Sequence, residues 1–202
     1  MQDKNLQTEL ATLNNEESYS EKLRMQKEMV EDYILWNYDN PAVYVGTYGK
    51  YISEAGIFGA WIDLTQCDDY EKFMEVCRKL HADEEDPEFM FQDFDNFPEC
   101  WYSEWSLDED TFDKIKEYAD MDDKEAFEAY ISCTGDDNID TFRERYIGKY
   151  SSEEEFAEFI VGEMYNLEKM IGRLAFYFDY KAYARELFMD GYSYQDGYVF
   201  SD

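Results

Sequence analysis

The sequence has few of the residues with which most proteins build linkers or catalytic sites. Only three prolines and ten glycines occur in 202 residues, so no linker rich in either divides the chain. The single histidine, His81, lies between Leu80 and Ala82 and ahead of a run of acids, which predicts a lone surface histidine. No Gly-rich phosphate loop, zinc signature or nucleophile elbow is present. These absences argue against the common enzyme classes.

Cysteine pairs and long apolar runs are also missing. Cys67, Cys77, Cys100 and Cys133 are scattered without a Cys-x-x-Cys pair, which predicts reduced thiols that serve as small hydrophobic residues. No apolar run approaches the roughly 18 residues needed to span a bilayer. The N-terminus "MQDKNLQTEL" is polar and does not resemble a signal peptide. We therefore expect a soluble, cytoplasmic protein with no membrane partner.

Positive charge is scarce relative to negative charge. The chain has 18 Lys and Arg against 49 Asp and Glu, a formal net charge of -31, while 45% of it is hydrophobic and 19% aromatic. Disordered acidic chains lack the apolar side chains that offset the entropy of ordering, so this chain should fold. Its charge repels nucleic acid and anionic membranes. A partner that recognises the charge must be a basic protein surface.

Local patterns in the first half predict a helix, three strands and a second helix. The segment 18–38 opens with a capping box from Ser18 to Glu21 and is typical of an amphipathic helix. The runs "AVYVGTY" and "GIFGAWIDL" predict an antiparallel pair. "CDDYEKFMEVCRKL" predicts a helix with acids in its first turn, and "FMFQDFDNF" predicts a third strand.

The second half predicts further short helices and a final pair of strands. Residues 107–146 indicate two or three short helices. Another helix should begin at Ser151 and Ser152, where Glu153 to Glu155 lie in the first turn, and one more should be capped by Asp179. Two short strands should end the chain. The mixture predicts an α+β fold.

Carboxylates form a row on the first helix of the 107–146 region. At 100° per residue, Glu109, Asp113, Glu117 and Asp120 fall within about 80° of one another, and the apolar residues lie on the far side. Each pair of like charges at i,i+4 destabilises a helix by a few tenths of a kcal/mol. A sequence that keeps such pairs despite this cost indicates a function for the row. A well solvated helix face is the simpler interpretation, and a single helix does not decide between the two.

Calcium binding, catalysis by carboxylates and a halophilic origin account for the acidity less well. "DDNIDTFRERYI" places Asp136, Asn138 and Asp140 as in a calcium loop, but Thr141 replaces the required Gly and Ile147 replaces the final Glu. We therefore predict no metal site. A glycosidase-like carboxylate pair is not excluded by counting, although nothing singles one out. A halophilic origin fits twelve lysines and the high aromatic content poorly.

The spacing of the charges suggests imitation of DNA. Duplex DNA carries one negative charge per roughly 1.7 Å of axis, so 31 charges would occupy about 50 Å. A compact globule of this length would be only about 40 Å across, so an elongated body matches better. An i,i+4 row spaces charges about 6 Å apart, and two staggered rows approach the 3.4 Å of one DNA strand. The carboxylates would then stand in for phosphates.

The stretch "FIVGEMYNLEKMIGRLAFYF" offers more apolar side chains than one short element needs. Self-association and plain core packing explain it equally well from spacing alone. The residues concerned are Phe159, Ile160, Met164, Leu167, Met170, Ile171 and Leu174.

Four stretches in combination resemble the ArdA-type antirestriction proteins, from about Pro41 to the C-terminus. They are "PAVYVGTYGKY" with "GIFGAWIDLTQ", "FMFQDFDNF", "FRERYIGKYSSEEEFAEFIVGEMY" and "FYFDYKAYARELFMDGYSYQDGYVF". The resemblance implies a DNA mimic that occupies the DNA-binding groove of type I restriction-modification enzymes, at their methyltransferase core. It implies no catalysis and no cofactor. An acidic interaction or metal-binding module of other function is the alternative.

The resemblance also implies an elongated homodimer whose subunit has three small consecutive α and β domains. The expected divisions are an N-terminal extension over 1–40, an α+β domain over 41–97, a helical domain over 98–140 and an α+β domain over 141–202. The dimer interface would lie in the Phe159 to Leu174 stretch, which resembles the family's antirestriction motif. The extension departs from the family, whose members begin near the first strand.

By the same likeness, Lys and Arg side chains of the enzyme would pair with a distributed array of carboxylates, none of them essential alone. We predict that this carboxylate array is led by Asp83, Glu84, Glu85, Asp86, Glu109, Asp113, Glu117, Asp120, Asp122, Asp123, Asp136 and Asp137.

Overall fold

The computed structural model describes residues 19–53 and 58–202, which form two compact units. Unit 1 ends at Asp120 and unit 2 begins at Met121. Each unit combines one small antiparallel sheet with several helices, so the predicted α+β class is confirmed. Ser18 of the predicted capping box and the first two residues of "GIFGAWIDL" lie outside the described residues.

The sheet of unit 1 has three antiparallel strands in the order β2-β1-β3. These are β1, Ala42–Thr47, β2, Ala60–Asp63, and β3, Phe89–Asp95. Tyr44 of β1 lies opposite Trp61 of β2, and the β1–β3 register shifts between Tyr44 and Val45. The three strands predicted from runs of apolar, aromatic and β-branched residues are confirmed.

Helix α3, Tyr70–Leu80, provides the centre of the core in unit 1. Asp69 caps it by accepting a hydrogen bond from the Lys72 amide at 2.7 Å. The ring of Phe73 lies 5.9 Å from that of Phe91 on β3 and 5.7 Å from that of Phe112 on α4, which spans Glu109–Ala119. Phe73 therefore joins the sheet to both helices.

The helix before β1 is shorter than the predicted helix over 18–38. Helix α1 covers residues 19–28, and a 3-10 turn follows at Glu31–Tyr33. The helix ends early because the chain then joins the sheet: Ile34 bridges Ile62 of β2, and the Leu35 amide donates to the Trp61 carbonyl at 3.0 Å. Residues 19–40 are thus docked on unit 1.

Short elements connect these parts of unit 1. Helix α2, Tyr48–Tyr51, follows β1 directly and is capped by the Thr47 hydroxyl. Two 3-10 turns, Leu64–Gln66 and Glu99–Trp101, follow β2 and β3.

Three helices occupy the 107–146 region, as predicted. They are α4, already described, α5, Lys124–Thr134, and α6, Ile139–Arg145. Gly135 ends α5 with a positive φ of 73°, a conformation that glycine adopts without strain. Helix α4 belongs to unit 1, and α5 and α6 belong to unit 2.

The sheet of unit 2 has the order β4-β6-β5, with β4, Tyr146–Lys149, β5, Tyr192–Gln195, and β6, Tyr198–Ser201. Asp196 and Gly197 join β5 to β6 with φ angles of 52° and 92°. Two successive positive φ angles match the twist of a tight hairpin. On this sheet Phe200 packs 5.3 Å from the Tyr130 ring of α5.

Helix α7, Glu153–Met164, and helix α9, Tyr180–Leu187, pack together beside the unit 2 sheet. Their caps are Ser152 and Asp179, as predicted. Helix α8, Leu167–Ile171, and a 3-10 turn at Gly172–Tyr177 lie between them in sequence. The predicted domain divisions near residues 40, 97 and 140 stay predictions.

Candidate functional site

Helix α4 presents the carboxylate row to solvent. Asp108 caps the helix by accepting a hydrogen bond from the Thr111 amide at 2.8 Å. Hydrogen bonds from the side chain and the amide of Thr111 lower the pKa of the Asp108 carboxyl. Glu109, Asp113 and Glu117 are exposed on the helix, whereas Phe112 and Ile115 on the other face are fully buried. Asp120, also exposed, is the C-cap residue. The predicted division of α4 into an acidic and a buried face is therefore present.

The side chains of the two lysines of α4 contact other residues of unit 1. The Nζ atom of Lys116 donates to the Cys67 carbonyl at 2.6 Å, and that of Lys114 lies 5.9 Å from the centre of the Trp101 ring. Both side chains are half-buried. Because these cations are held against the protein, they do not extend into solvent as far as the carboxylates can.

The acidic turn 83–86 divides into an inner and an outer pair. The Asp83 side chain is only 8% exposed, and its Oδ1 atom lies 2.6 Å from Nζ of Lys50. Glu84 is half-buried, and its Oε1 atom lies 3.1 Å from the same Nζ. Glu85 and Asp86 are exposed. Asp83 is committed to an internal ion pair, so we remove it from the set of residues available to a partner.

His81 is buried, so the prediction of a surface histidine is wrong. It follows the last turn of α3 and points inward, where its Nδ1 atom lies 2.9 Å from Lys50 Nζ and its Nε2 atom 3.3 Å from the Val45 carbonyl. This geometry fits a neutral ring that accepts from Lys50 and donates to Val45. Burial, together with the Lys50 charge, lowers the pKa of His81 to about 4.

The remaining predicted carboxylates belong to unit 2. Asp122 and Asp123 are exposed ahead of α5. Asp136 is half-buried because it accepts a hydrogen bond from the Tyr130 hydroxyl at 2.9 Å and another from the Asn138 amide at 3.1 Å. Asp137 is half-buried as well. These last two contribute less accessible charge than the sequence suggested.

The calcium-like spacing around Asn138 has a structural cause. Asn138 caps α6 by accepting from the Thr141 amide at 2.8 Å, and Asp136 forms the turn that precedes it. Across residues 19–53 and 58–202, no group of three or more His, Cys, Asp or Glu side chains is placed to hold a metal ion.

Eight of the twelve predicted carboxylates are exposed, and several acids outside the predicted set are exposed as well. The exposed eight are Glu85, Asp86, Glu109, Asp113, Glu117, Asp120, Asp122 and Asp123. Further exposed acids of unit 1 include Asp68, Glu88, Asp93, Asp95 and Glu99. Their strand or turn positions gave no periodic signal.

Apolar side chains of unit 2 are exposed in the stretch predicted for self-association. Met170 and Leu174 are 65% and 66% exposed, and Phe159, Met164 and Ile171 are exposed too. Ile160 and Leu167 are half-buried. The structure adds Tyr165, Phe176 and Tyr177, of which Phe176 is 88% exposed. We call residues 159–177 the apolar segment.

None of the four cysteines, all of them in the described part of the chain, forms a disulfide, and they divide by burial. Cys67 and Cys77 are buried, and burial raises the pKa of Cys67 to about 12. Cys100 and Cys133 are exposed, so of the four predicted small hydrophobic thiols only Cys67 and Cys77 are buried. In the part of the chain that the structure describes, no helix has both the length and the apolar composition required to cross a membrane.

Comparison with known proteins adds one match. The family model described as "Antirestriction protein (ArdA)" matches residues 43–200. A search of curated proteins found no match. The family match begins at the second residue of β1 and ends within β6, so it spans the strands of both sheets and leaves α1 and residues 31–42 outside.

Proposed function

Because the chain belongs to the ArdA antirestriction protein family, we propose that it inhibits type I restriction-modification enzymes by imitating DNA. In this proposal, surface carboxylates take the places of duplex phosphates within the DNA-binding groove of the methyltransferase core. Lys and Arg side chains that normally contact DNA would then contact the inhibitor instead. No reaction and no cofactor are required.

The observation that carries the proposal is the carboxylate row on α4. Glu109, Asp113 and Glu117 follow one another at four-residue steps, which corresponds to about 6 Å along the helix. They are exposed, and the two lysines of the helix lie against the protein. A basic groove would therefore meet negative charge with little interruption on this face.

Affinity on this mechanism is collective. An exposed ion pair contributes about 0.2 to 1 kcal/mol and weakens with salt, so strong inhibition requires many pairs at once. Turn residues Glu85 and Asp86 of unit 1 and the exposed pair Asp122 and Asp123 of unit 2 would each supply further ion pairs. Glu84, Asp136 and Asp137 would contribute less because they are half-buried.

We further propose that the protein acts as a homodimer joined through the apolar segment. An exposed cluster of Met, Leu and aromatic side chains is costly in water and is typical of an interface. The core of unit 2 does not need these residues, since α7 already buries Phe156, Ala157 and Val161. A two-fold dimer would double the number of carboxylates offered to one enzyme.

A displacement experiment tests the function. A fluorescent DNA duplex that carries the recognition sequence is bound to a purified type I methyltransferase, and the full-length protein is titrated in. We expect near-stoichiometric displacement at low salt and weaker displacement as salt rises. If the duplex stays bound at a large excess of the protein, the proposed function is wrong. Free duplex mixed with the protein alone is the control, and its anisotropy should not change.

A further inference from the structure

The sheet of unit 1 has an aromatic cavity on the face that bears Tyr44 and Trp61. The cavity encloses about 400 Å³ and is lined by Lys27, Ile34, Leu35, Tyr38, Tyr44, Ala60, Trp61 and Asp95. The cavity brings together three aromatic rings and one carboxylate. Imitation of DNA phosphates requires only carboxylates, so it gives these rings no role.

Residues of the three strands form one wall of this cavity. Tyr44 and Trp61 are opposite each other on β1 and β2, and their rings lie 5.8 Å apart at 76° to one another. Asp95 of β3 is paired with Ala42, two residues from Tyr44, so its side chain belongs to the same face of the sheet. Both rings are half-buried, whereas Asp95 is exposed.

The N-terminal extension builds the other wall. The Leu35 amide donates to the Trp61 carbonyl, and Asn96 donates to the carbonyls of Tyr38 and Asn40 from a backbone with φ of 59°. These bonds hold Tyr38 at the cavity although its side chain is 78% exposed. Tyr38 and Leu35 lie ahead of residue 43, where the family match begins.

The chemistry of the lining selects a flat cation. The faces of Tyr and Trp rings attract cations, most strongly when the cation is partly desolvated. A guanidinium group stacks on an aromatic ring and also donates hydrogen bonds to a carboxylate, whereas an ammonium is compact and more strongly hydrated. The net charge of -31 raises the local concentration of cations further.

Lys27 is the one cationic residue among those that line the cavity in the described part of unit 1. Its Nζ atom lies 5.1 Å from the centre of the ring of Phe58, a residue outside the lining. Because this charge is held at a neighbouring ring, it leaves the exposed carboxylate of Asp95 open to a cationic ligand.

We infer that the cavity formed by Tyr38, Tyr44, Trp61 and Asp95 binds the guanidinium group of an arginine side chain from the protein partner. The identification of that partner as a restriction-modification enzyme rests on the proposed function, but the affinity for guanidinium does not. The extension would then supply a discrete contact beside the distributed carboxylate array.

The test uses the full-length, isotope-labelled protein and N-acetyl-arginine methylamide as the probe. The four tryptophans provide separate indole N–H signals in NMR spectra. We expect a saturable shift of the Trp61 signal with a dissociation constant in the millimolar range. The signal of Trp105, which is exposed but outside the cavity, should move little. The citrulline analogue of the probe, which has similar shape and no charge, should bind at least about fivefold more weakly.

Two substitutions and their matched controls locate the binding. Asp95→Asn and Tyr38→Leu should each lower the affinity for the arginine probe about two- to fivefold. Asp68→Asn and Tyr51→Leu make the same chemical changes at exposed residues outside the lining and should leave probe binding unchanged.

Three results would overturn the inference: equal binding of the citrulline analogue, equal and unsaturated shifts at Trp61 and Trp105, or equal losses in the test and control variants. No enzyme or DNA is present in this experiment, so its failure leaves displacement of DNA untouched. Conversely, a protein that fails to displace DNA can still bind the arginine probe.

Discussion

The ammonium group of Lys50 lies 2.6 Å from a carboxylate oxygen of Asp83, and neither side chain is more than 8% exposed. Gln26 of α1 donates to the same carboxylate at 2.8 Å, so the pair also fastens the extension to unit 1. Burial raises the pKa of Asp83, but the hydrogen bonds from Lys50 and Gln26 outweigh it and leave that pKa below its usual value.

Removing one partner of this pair should destabilise the protein strongly. Asp83→Asn leaves the Lys50 charge with fewer compensating groups, and such losses cost about 3 to 5 kcal/mol when the pair is buried. Urea unfolding followed by circular dichroism measures the change. Glu85→Gln, two residues along and exposed, is the control and should stay within about 0.5 kcal/mol of the parent. A stable Asp83→Asn variant would show that the ion pair is not formed.

Acidification should destabilise the protein through His81. The unfolded chain takes up the proton near pH 6.5, whereas the folded protein does so only near pH 4. Between these values the unfolded state holds more protons, so the free energy of unfolding falls as the pH falls. From pH 7 to 5.5 we expect a loss of about 1 kcal/mol in urea titrations.

His81→Gln provides the comparison, because no other histidine is present in the sequence. The quantity compared between variant and parent is the change in the free energy of unfolding with pH, not its absolute value. The variant should lose little stability between pH 7 and 5.5. Parallel pH profiles of variant and parent would contradict the buried, neutral histidine.

Neutralising the row on α4 should weaken inhibition without harming the fold. The fourfold variant Glu109→Gln, Asp113→Asn, Glu117→Gln and Asp120→Asn removes four exposed charges, worth about 1 to 4 kcal/mol together. Displacement of DNA from the methyltransferase should need roughly fivefold to several hundredfold more protein at low salt. Stability should hold, because like-charge repulsion along the helix is relieved.

An equal loss of charge elsewhere is the control for that series. Asp39→Asn, Asp68→Asn, Glu88→Gln and Glu99→Gln change four exposed acids outside the predicted array. If this variant lost as much activity, the position of the charges would not matter. If a single substitution on α4 abolished inhibition in a folded protein, a distributed array would be the wrong description.

The apolar segment should hold two subunits together. Met170→Glu with Leu174→Glu places two charges where apolar side chains are exposed, and we expect the mass from light scattering to fall from two chains to one. Met189→Glu makes the same exchange at an exposed methionine outside the segment and should leave the mass unchanged. A parent protein that is already a single chain at micromolar concentration would contradict the proposed dimer.

The sequence predicted elements well where a period repeats several times. Apolar and aromatic runs marked β1, β2 and β3, and helical spacing with acids in the first turn marked α3, α4 and α7. The acidic and buried faces of α4 could be predicted because each face is sampled by three or more residues.

Single residues at the ends of elements were predicted poorly. In "HADEED" the inward His81 and Asp83 and the outward Glu85 and Asp86 have no period that separates them, since their orientation depends on Lys50 from another element. The predicted end of α1 was wrong for a related reason. Residues 31–38 retain apolar spacing, but a bridge to β2 competes with the helix and prevails.

The cavity could not be predicted because its residues are far apart in the chain. Tyr38, Trp61 and Asp95 come from three segments that only the sheet order brings together. A tyrosine at residue 38 carries no signal by itself in a chain with 19 tyrosines.

Strand β2 is an edge strand of its sheet. The β-bridge from Ile34 and the hydrogen bond from the Leu35 amide cover part of its open edge. An uncovered strand of this kind is a template for pairing with another molecule. A version of the protein trimmed to residues 43–200 would keep the whole range that the family model matches, yet it would expose that template. Residues 34 and 35, which the family match leaves out, therefore cap backbone groups that another chain could otherwise pair with.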